Sequence, residues 1–121
     1  MGVPFLDLPA MTGEVMPEAI RRIEAVCASA DFILGRELET FESAFADYCG
    51  ARYGVGVASG LDALKLILRA YDIGEGDEVI VPAHTFIATA LAVSAVGARP
   101  VPVDIEPDFF TLNPAKLEQA V

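Results

Sequence analysis

The hydrophobic positions change rhythm near the middle of the chain. In the first part they recur every three or four residues. Ile20, Ile23, Val26 and Cys27 share one helical face, with Arg21, Arg22 and Glu24 between them and Pro17 suited to a first helical position. Leu38, Phe41, Phe45 and Tyr48 form a second stripe, and Gly50 is a natural stop. Glu37, Glu39, Glu42 and Asp47 lie off that stripe and read as a solvated face. The apolar stretch DFILGRE between the two patterns carries Gly35 and reads as a packed connector.

From Gly54 onward, short β-rich runs alternate with helical patterns. Strands are predicted at Val55–Ala58, Val79–Val81 and Val101–Val103, the second of them ended by Pro82. A helix is predicted over Leu61–Ala70, with Asp62, Lys65 and Arg69 on one face. Another, almost wholly apolar, is predicted over Ile87–Val96 and stopped by Gly97. DIGEGDE is a turn, and DIEPDFFTLNP a loop leading to a last short helix. Strand, helix, strand, helix, strand implies parallel strands with crossover helices, an α/β fold. Helices with so narrow a polar face are expected to be covered on most sides. The division expected is a helical segment over residues 1–53 and an α/β layer over 54–121. There is no internal repeat and no low-complexity segment.

Composition sharpens this picture. A chain of 121 residues that is 54% hydrophobic is rich for a small free-standing domain. Apolar faces are therefore expected to meet a partner or the rest of a larger body. The formal charge of −10 argues against nucleic acid and against an anionic membrane surface. It leaves a local anion site open, because helix N-termini bind anions through backbone N–H groups. Cys27 and Cys49 sit in helical patterns and are expected to be buried, reduced thiols rather than a disulfide framework. No basic segment followed by an apolar core opens the chain, and the Ile87–Val96 stretch is too short to span a bilayer. A cytoplasmic protein is expected.

Candidate chemistry concentrates at the strand-to-helix junctions. In an open parallel sheet these lie at the carboxyl ends of the strands, where ligands bind. Ser59-Gly60 is one junction and PAHTF, Pro82 to Phe86, is the next. Gly60 would let a phosphate approach the helix start, and Ser59 can donate a hydroxyl; a plain tight turn is an equal reading of the same residues. Gly54, Gly56 and Gly60 loosely resemble a dinucleotide fingerprint. However, that motif needs its glycines after the strand, and the acidic residues Asp72 and Asp77 sit at a turn. His84 is the sole histidine, so neither a Cys/His zinc cluster nor a hydrolase triad can be assembled. Taken singly, His84 reads as a solvated or structural loop residue and Phe86 as core.

Taken together, the motifs point further. FLDL near the start, FILGRELETFESAFADYCGARYGVGVASGLDALKLILRA and GEGDEVIVPAHTFIATALAVSAVGARPVPVDIEPDFFTLNP form an ordered set. In order and spacing this set resembles the amino-terminal part of the DegT/DnrJ/StrS family of sugar aminotransferases. The resemblance implies the amino-terminal portion of a type I pyridoxal-phosphate (PLP) large domain, like that of aspartate aminotransferase. It further implies transfer of an amino group from glutamate to a nucleotide-linked keto sugar, and a homodimer. Ser59, Gly60, Leu61 and Asp62 would hold the cofactor phosphate, and Phe86 would stack on its ring. Many members have Thr where this chain has Leu61, so a contact there would be main-chain only. The family's covalent lysine lies beyond this length. Lys65 and Lys116 do not occupy its position, so no catalytic residue is assigned and the 121 residues alone should not turn over. The chain is thus expected to be a fragment: a truncated protein, a partial gene or one piece of a split enzyme. Relatives of the same fold that lack the lysine are sugar dehydratases. A non-catalytic interaction module is the reading from a different class.

Overall fold

A computed structural model describes residues 3 and 5–120. The chain divides into two compact units, Met1–Gly56 and Val57–Val121.

The first unit is helical. Helix α1, Leu8–Gly13, starts where the Asp7 carboxylate accepts the N–H of Ala10 (3.1 Å). Helix α2, Met16–Ser29, has its proline in the first turn and ends at Ala30 in the left-handed region. Helix α3, Arg36–Cys49, ends at Gly50, whose φ of 64° a glycine adopts without a Cβ clash. Arg22 joins α2 to α3 by donating to both Glu18 and Glu37 (2.7 Å each). Both amphipathic patterns are thus helices. Their apolar stripes nevertheless stay largely uncovered: Phe41, Phe45 and Tyr48 stack on one another along α3, with centroids 5.6 and 6.5 Å apart, and remain exposed.

Two expectations fail in this unit. The connector is not packed, since Phe32, Ile33 and Leu34 are all exposed. Its shape comes from polar contacts, the Asp31 carboxylate accepting the N–H of Arg36 (3.2 Å). Cys27 and Cys49 are free, as expected, but exposed rather than buried. Cys27 lies on the uncovered stripe of α2 and Cys49 on the last turn of α3.

The second unit carries the α/β layer. Helix α4 spans Gly60–Ala70, strand β1 Glu78–Pro82, helix α5 Ala88–Ala95 and strand β2 Arg99–Val103. A short helix α6, Pro114–Leu117, follows, capped by the Asn113 side chain accepting the N–H of Ala115 (3.0 Å). Strands β1 and β2 are parallel, in register from Glu78 opposite Arg99 to Pro82 opposite Val103. The Arg99 N–H donates to the Asp77 carbonyl (2.9 Å) and the Ala83 N–H to the Val103 carbonyl (2.8 Å). In a parallel ladder such bonds recur at alternate residues, so the nitrogens of Pro100 and Pro102 point away from β1.

The core lies between this sheet and α5. Val81, Val93 and Ala98 form it, surrounded by Leu68, Ile73, Val79 and Val96. Ala92 and Val93 are 1% and 2% exposed, as an almost wholly apolar helix requires. Helix α4 packs on α5, yet Leu64, Leu66 and Ile67 remain exposed, so its expected cover is only partial. The predicted strand at Val55–Ala58 is not formed; the backbone there is irregular and unpaired. β-propensity needs a neighbouring strand to act on. In its place the Gly56 N–H donates to Glu42 Oε1 (2.7 Å).

Candidate functional site

The first junction is built by one turn of helix. Ser59 is the N-cap of α4, with extended backbone (φ −161°, ψ 165°). The Asp62 N–H donates to Ser59 Oγ (3.1 Å), and the Ser59 hydroxyl donates to Asp62 Oδ2 (2.8 Å). Lys65 Nζ reaches Asp62 Oδ1 at 2.9 Å. The hydrogen bond from Lys65, then that from Ser59, hold the Asp62 carboxyl below the usual carboxylate range. The Ala63 N–H is spent on the Ser59 carbonyl (3.0 Å). Among the described residues nothing accepts from the N–H groups of Gly60 and Leu61.

Two unused donors at the positive end of a helix of 11 residues suit an anion. Space suits it too, since a Cβ placed on Gly60 would meet nothing within 4 Å. The one negative group in the turn, Asp62, is already compensated by Lys65. The residues present therefore fit a phosphate, with the Ser59 hydroxyl free to join once it turns from Asp62. Leu61 is half-buried and offers only its backbone. A cavity of about 310 Å³ runs along α4 and takes in Asp62 and Lys65, but neither Gly60 nor Phe86.

The second junction follows β1. After Ala83, His84 faces the Phe110 ring at 6.2 Å between centroids, tilted by 43°. The Thr85 and Thr89 hydroxyls pair at 3.2 Å. The Phe86 carbonyl accepts the N–H of Thr89 (3.1 Å). The Phe86 side chain is 77% exposed, so it is a free apolar ring rather than the core residue its type alone suggested. The structure thus gathers Ser59, Gly60, Leu61 and Asp62 into one turn and presents Phe86 at the other junction of the same unit.

Gly54 and Gly56 are elsewhere. A Cβ on Gly54 would lie 2.6 Å from the Glu42 carbonyl oxygen, and one on Gly56 2.5 Å from Leu38 Cδ1. They permit close packing on α3, which removes the dinucleotide reading. Sequence reasoning missed Glu42 as the acceptor for Gly56 and Phe110 as the partner of His84. No local pattern signals the first. The second has a faint signal, a turn-forming EPDFF stretch without glycine. Among the described residues no group of three or more His, Cys, Asp or Glu is placed to hold a metal, and no helix is long and apolar enough to cross a membrane.

Residues 14–121 match the profile of the DegT/DnrJ/EryC1/StrS aminotransferase family. The chain belongs to this family. Over 98% of its length it is 50% identical to a dTDP-3-amino-3,6-dideoxy-alpha-D-galactopyranose transaminase of Aneurinibacillus thermoaerophilus, covering 33% of that protein. The crystal structure of DesV from S. venezuelae superposes with a TM-score of 0.93 at 54% identity, over 98% of this chain and 32% of DesV. NtdA from Bacillus subtilis, solved with bound cofactor PMP, superposes with a TM-score of 0.92 at 38% identity, over 98% of this chain and 28% of NtdA. The family member described here thus spans about a third of the length of the relatives it matches. These likenesses bear out the expected α/β aminotransferase fold.

Proposed function

We propose that the full-length protein is a PLP-dependent aminotransferase that moves an amino group from glutamate to a nucleotide-linked keto sugar. The observation that carries this reading is an α4 N-terminus, in a member of this family, whose Gly60 and Leu61 N–H groups have no acceptor among the described residues. The dTDP-amino sugar transaminase at 50% identity and the PMP-bound NtdA structure support the substrate class and the cofactor. In this reading residues 54–121 open the cofactor-binding domain, as its amino-terminal portion, and residues 1–53 precede it as a helical segment.

Bound PLP supplies an electron-withdrawing ring that stabilises negative charge on the carbon attached to the transferred nitrogen. The chain's own residues bind and orient. Gly60 and Leu61 donate backbone N–H groups to the phosphate, and Ser59 adds its hydroxyl. Lys65 offsets the Asp62 charge, which would otherwise oppose a phosphate. Phe86 offers a face to the ring. Both lysines are paired with carboxylates, Lys65 with Asp62 (2.9 Å) and Lys116 with Asp104 (2.6 Å). By the family resemblance neither stands at the position of the covalent lysine, so in this reading that lysine lies outside these 121 residues, which alone should not turn over. Glutamate added to the PLP-loaded full-length protein should convert the cofactor to pyridoxamine phosphate, with a change in its absorption spectrum; an unchanged spectrum would refute the aminotransferase.

The same proposal includes a homodimer in the cytoplasm. Phe5, Leu6 and Leu8 are exposed before and at the start of α1, and Phe32, Ile33 and Leu34 in the connector. Exposed apolar clusters mark interfaces, and free thiols suit a reducing compartment. Replacing Phe32 and Ile33 by Asp in the full-length protein should give monomers on sedimentation. A double mutant that remains dimeric removes the connector from the interface.

A further inference from the structure

Phe110 has a backbone φ of 58°, in the left-handed region. That region is strained for a bulky side chain and is ordinarily left to Gly or Asn. Such strain persists where the surroundings over-determine it, and it clusters at sites whose geometry matters. Here the surroundings are a tight return of the chain after β2. The Glu106 N–H donates to the Thr111 carbonyl (2.8 Å), and the Phe110 N–H to the Glu106 carbonyl (2.9 Å). Glu106 Oε2 accepts the N–H of Asp108 (3.0 Å), and Ile105 bridges Leu112 in antiparallel fashion. Lys116 closes the base on Asp104 (2.6 Å). This frame holds the turn whatever residue stands at 110, so the frame does not explain a phenylalanine there.

The ring does explain it. Phe110 is 63% exposed and contributes nothing to the core, yet its ring meets that of His84, in the loop that carries Phe86. That loop is tied at its first residue by the Ala83 N–H on the Val103 carbonyl (2.8 Å). Thr85 and Phe86 hold its far end to Thr89 (3.2 and 3.1 Å), and His84, two residues before Phe86, adds a side-chain attachment between these ends. We propose that Phe110 is a positioning residue: its ring braces His84 and so fixes the loop that aims Phe86 at the cofactor ring. The strained turn is a strut from the end of β2 to the end of β1. This rests on the cofactor reading above, in which Phe86 stacks on PLP.

The test compares PLP affinity and the thermal midpoint of the cofactor-free protein in full-length wild type, Phe110→Gly, Phe110→Tyr, His84→Ala and the Phe110→Gly/His84→Ala double variant. Glycine releases the strained φ while loosening the unfolded chain, so the midpoint of Phe110→Gly should stay within about 4 °C of wild type. Its PLP affinity should fall about two- to tenfold, the range an aromatic pair supplies. Phe110→Tyr should bind like wild type. His84→Ala should lose as much as Phe110→Gly, and the double variant no more than either, because one contact is removed in each case. If Phe110→Gly does not fold, Phe110→Tyr and His84→Ala carry the comparison. Unchanged affinity in Phe110→Gly or His84→Ala, or additive losses in the double variant, would overturn the strut. Wild-type protein that fails to bind PLP would overturn the cofactor reading itself, a result separable from the others.

Discussion

Replacing Gly60 by Asp in the full-length protein should separate cofactor binding from folding. Gly60 is the first residue of α4, its φ is not in the left-handed region, and a side chain there meets open space. The substitution therefore creates no clash and no backbone strain. A carboxylate in the first turn favours the helix dipole by about 0.3–1 kcal/mol, so the cofactor-free protein should be as stable as wild type or slightly more. At about 5 Å, the spacing of neighbouring groups on one helical turn, that carboxylate would oppose a phosphate held by the Gly60 and Leu61 N–H groups. With a phosphate charge near −2, the repulsion is about 1.7 kcal/mol at a dielectric constant of about 80 and about 6.6 kcal/mol at about 20. Ser59 and Gly60 are exposed, so the lower figure governs, and PLP affinity should drop at least about 15-fold. Equilibrium dialysis gives the affinity and thermal unfolding without cofactor gives the stability. A variant with normal stability and PLP affinity within twofold of wild type would place the phosphate elsewhere.

Three further outcomes can be checked in urea unfolding of the full-length protein. Gly54→Ala should cost about 1–3 kcal/mol and Gly56→Ala less, because the first Cβ meets a backbone carbonyl and the second the tip of a leucine side chain; equal costs would contradict this packing. Val93→Ala should cost about 2 kcal/mol from the lost methyl groups and the gap they leave in the core, and a cost under about 0.5 kcal/mol would show that α5 does not pack as described. Asp62 and Asp104 are held below their ordinary value of 3.8, mainly by hydrogen bonds from Lys65 and Lys116. Their folded-state pKa is depressed, so their stabilising contribution is present above pH 3.8 and is lost as pH falls below it through the folded value. Asp62→Asn and Asp104→Asn should flatten that acid limb; an unaltered limb would assign it to other carboxylates.

Much of this was legible because helices carry their own evidence. The spacing of Leu38, Phe41, Phe45 and Tyr48 needs no partner to be helical, and the almost wholly apolar α5 announces a core element by itself. Ser59 before Gly60 was legible as a helix start because capping is local. What failed depended on surfaces the local sequence does not contain. Val55–Ala58 has strand composition, but a strand exists only beside another, and here the Gly56 N–H turns to Glu42 instead. The burial expected of Cys27, Phe32 and Ile33 assumed a covering layer that these residues do not provide for one another. Phe110 was hidden for a different reason: a left-handed backbone at a phenylalanine runs against its own propensity, so only the fold reveals it.

The two prolines of β2 set a direction of growth. With their nitrogens turned outward, a strand laid along that side would find no donors at positions 100 and 102. On the far side of β1, Glu78 and Ile80 carry the outward-facing N–H groups. Any widening of this sheet therefore proceeds from β1, and β2 is the finished margin. A blunted margin also discourages edge-to-edge association between copies. Of the two edges of this sheet, only that of β1 offers outward N–H groups to a passing strand.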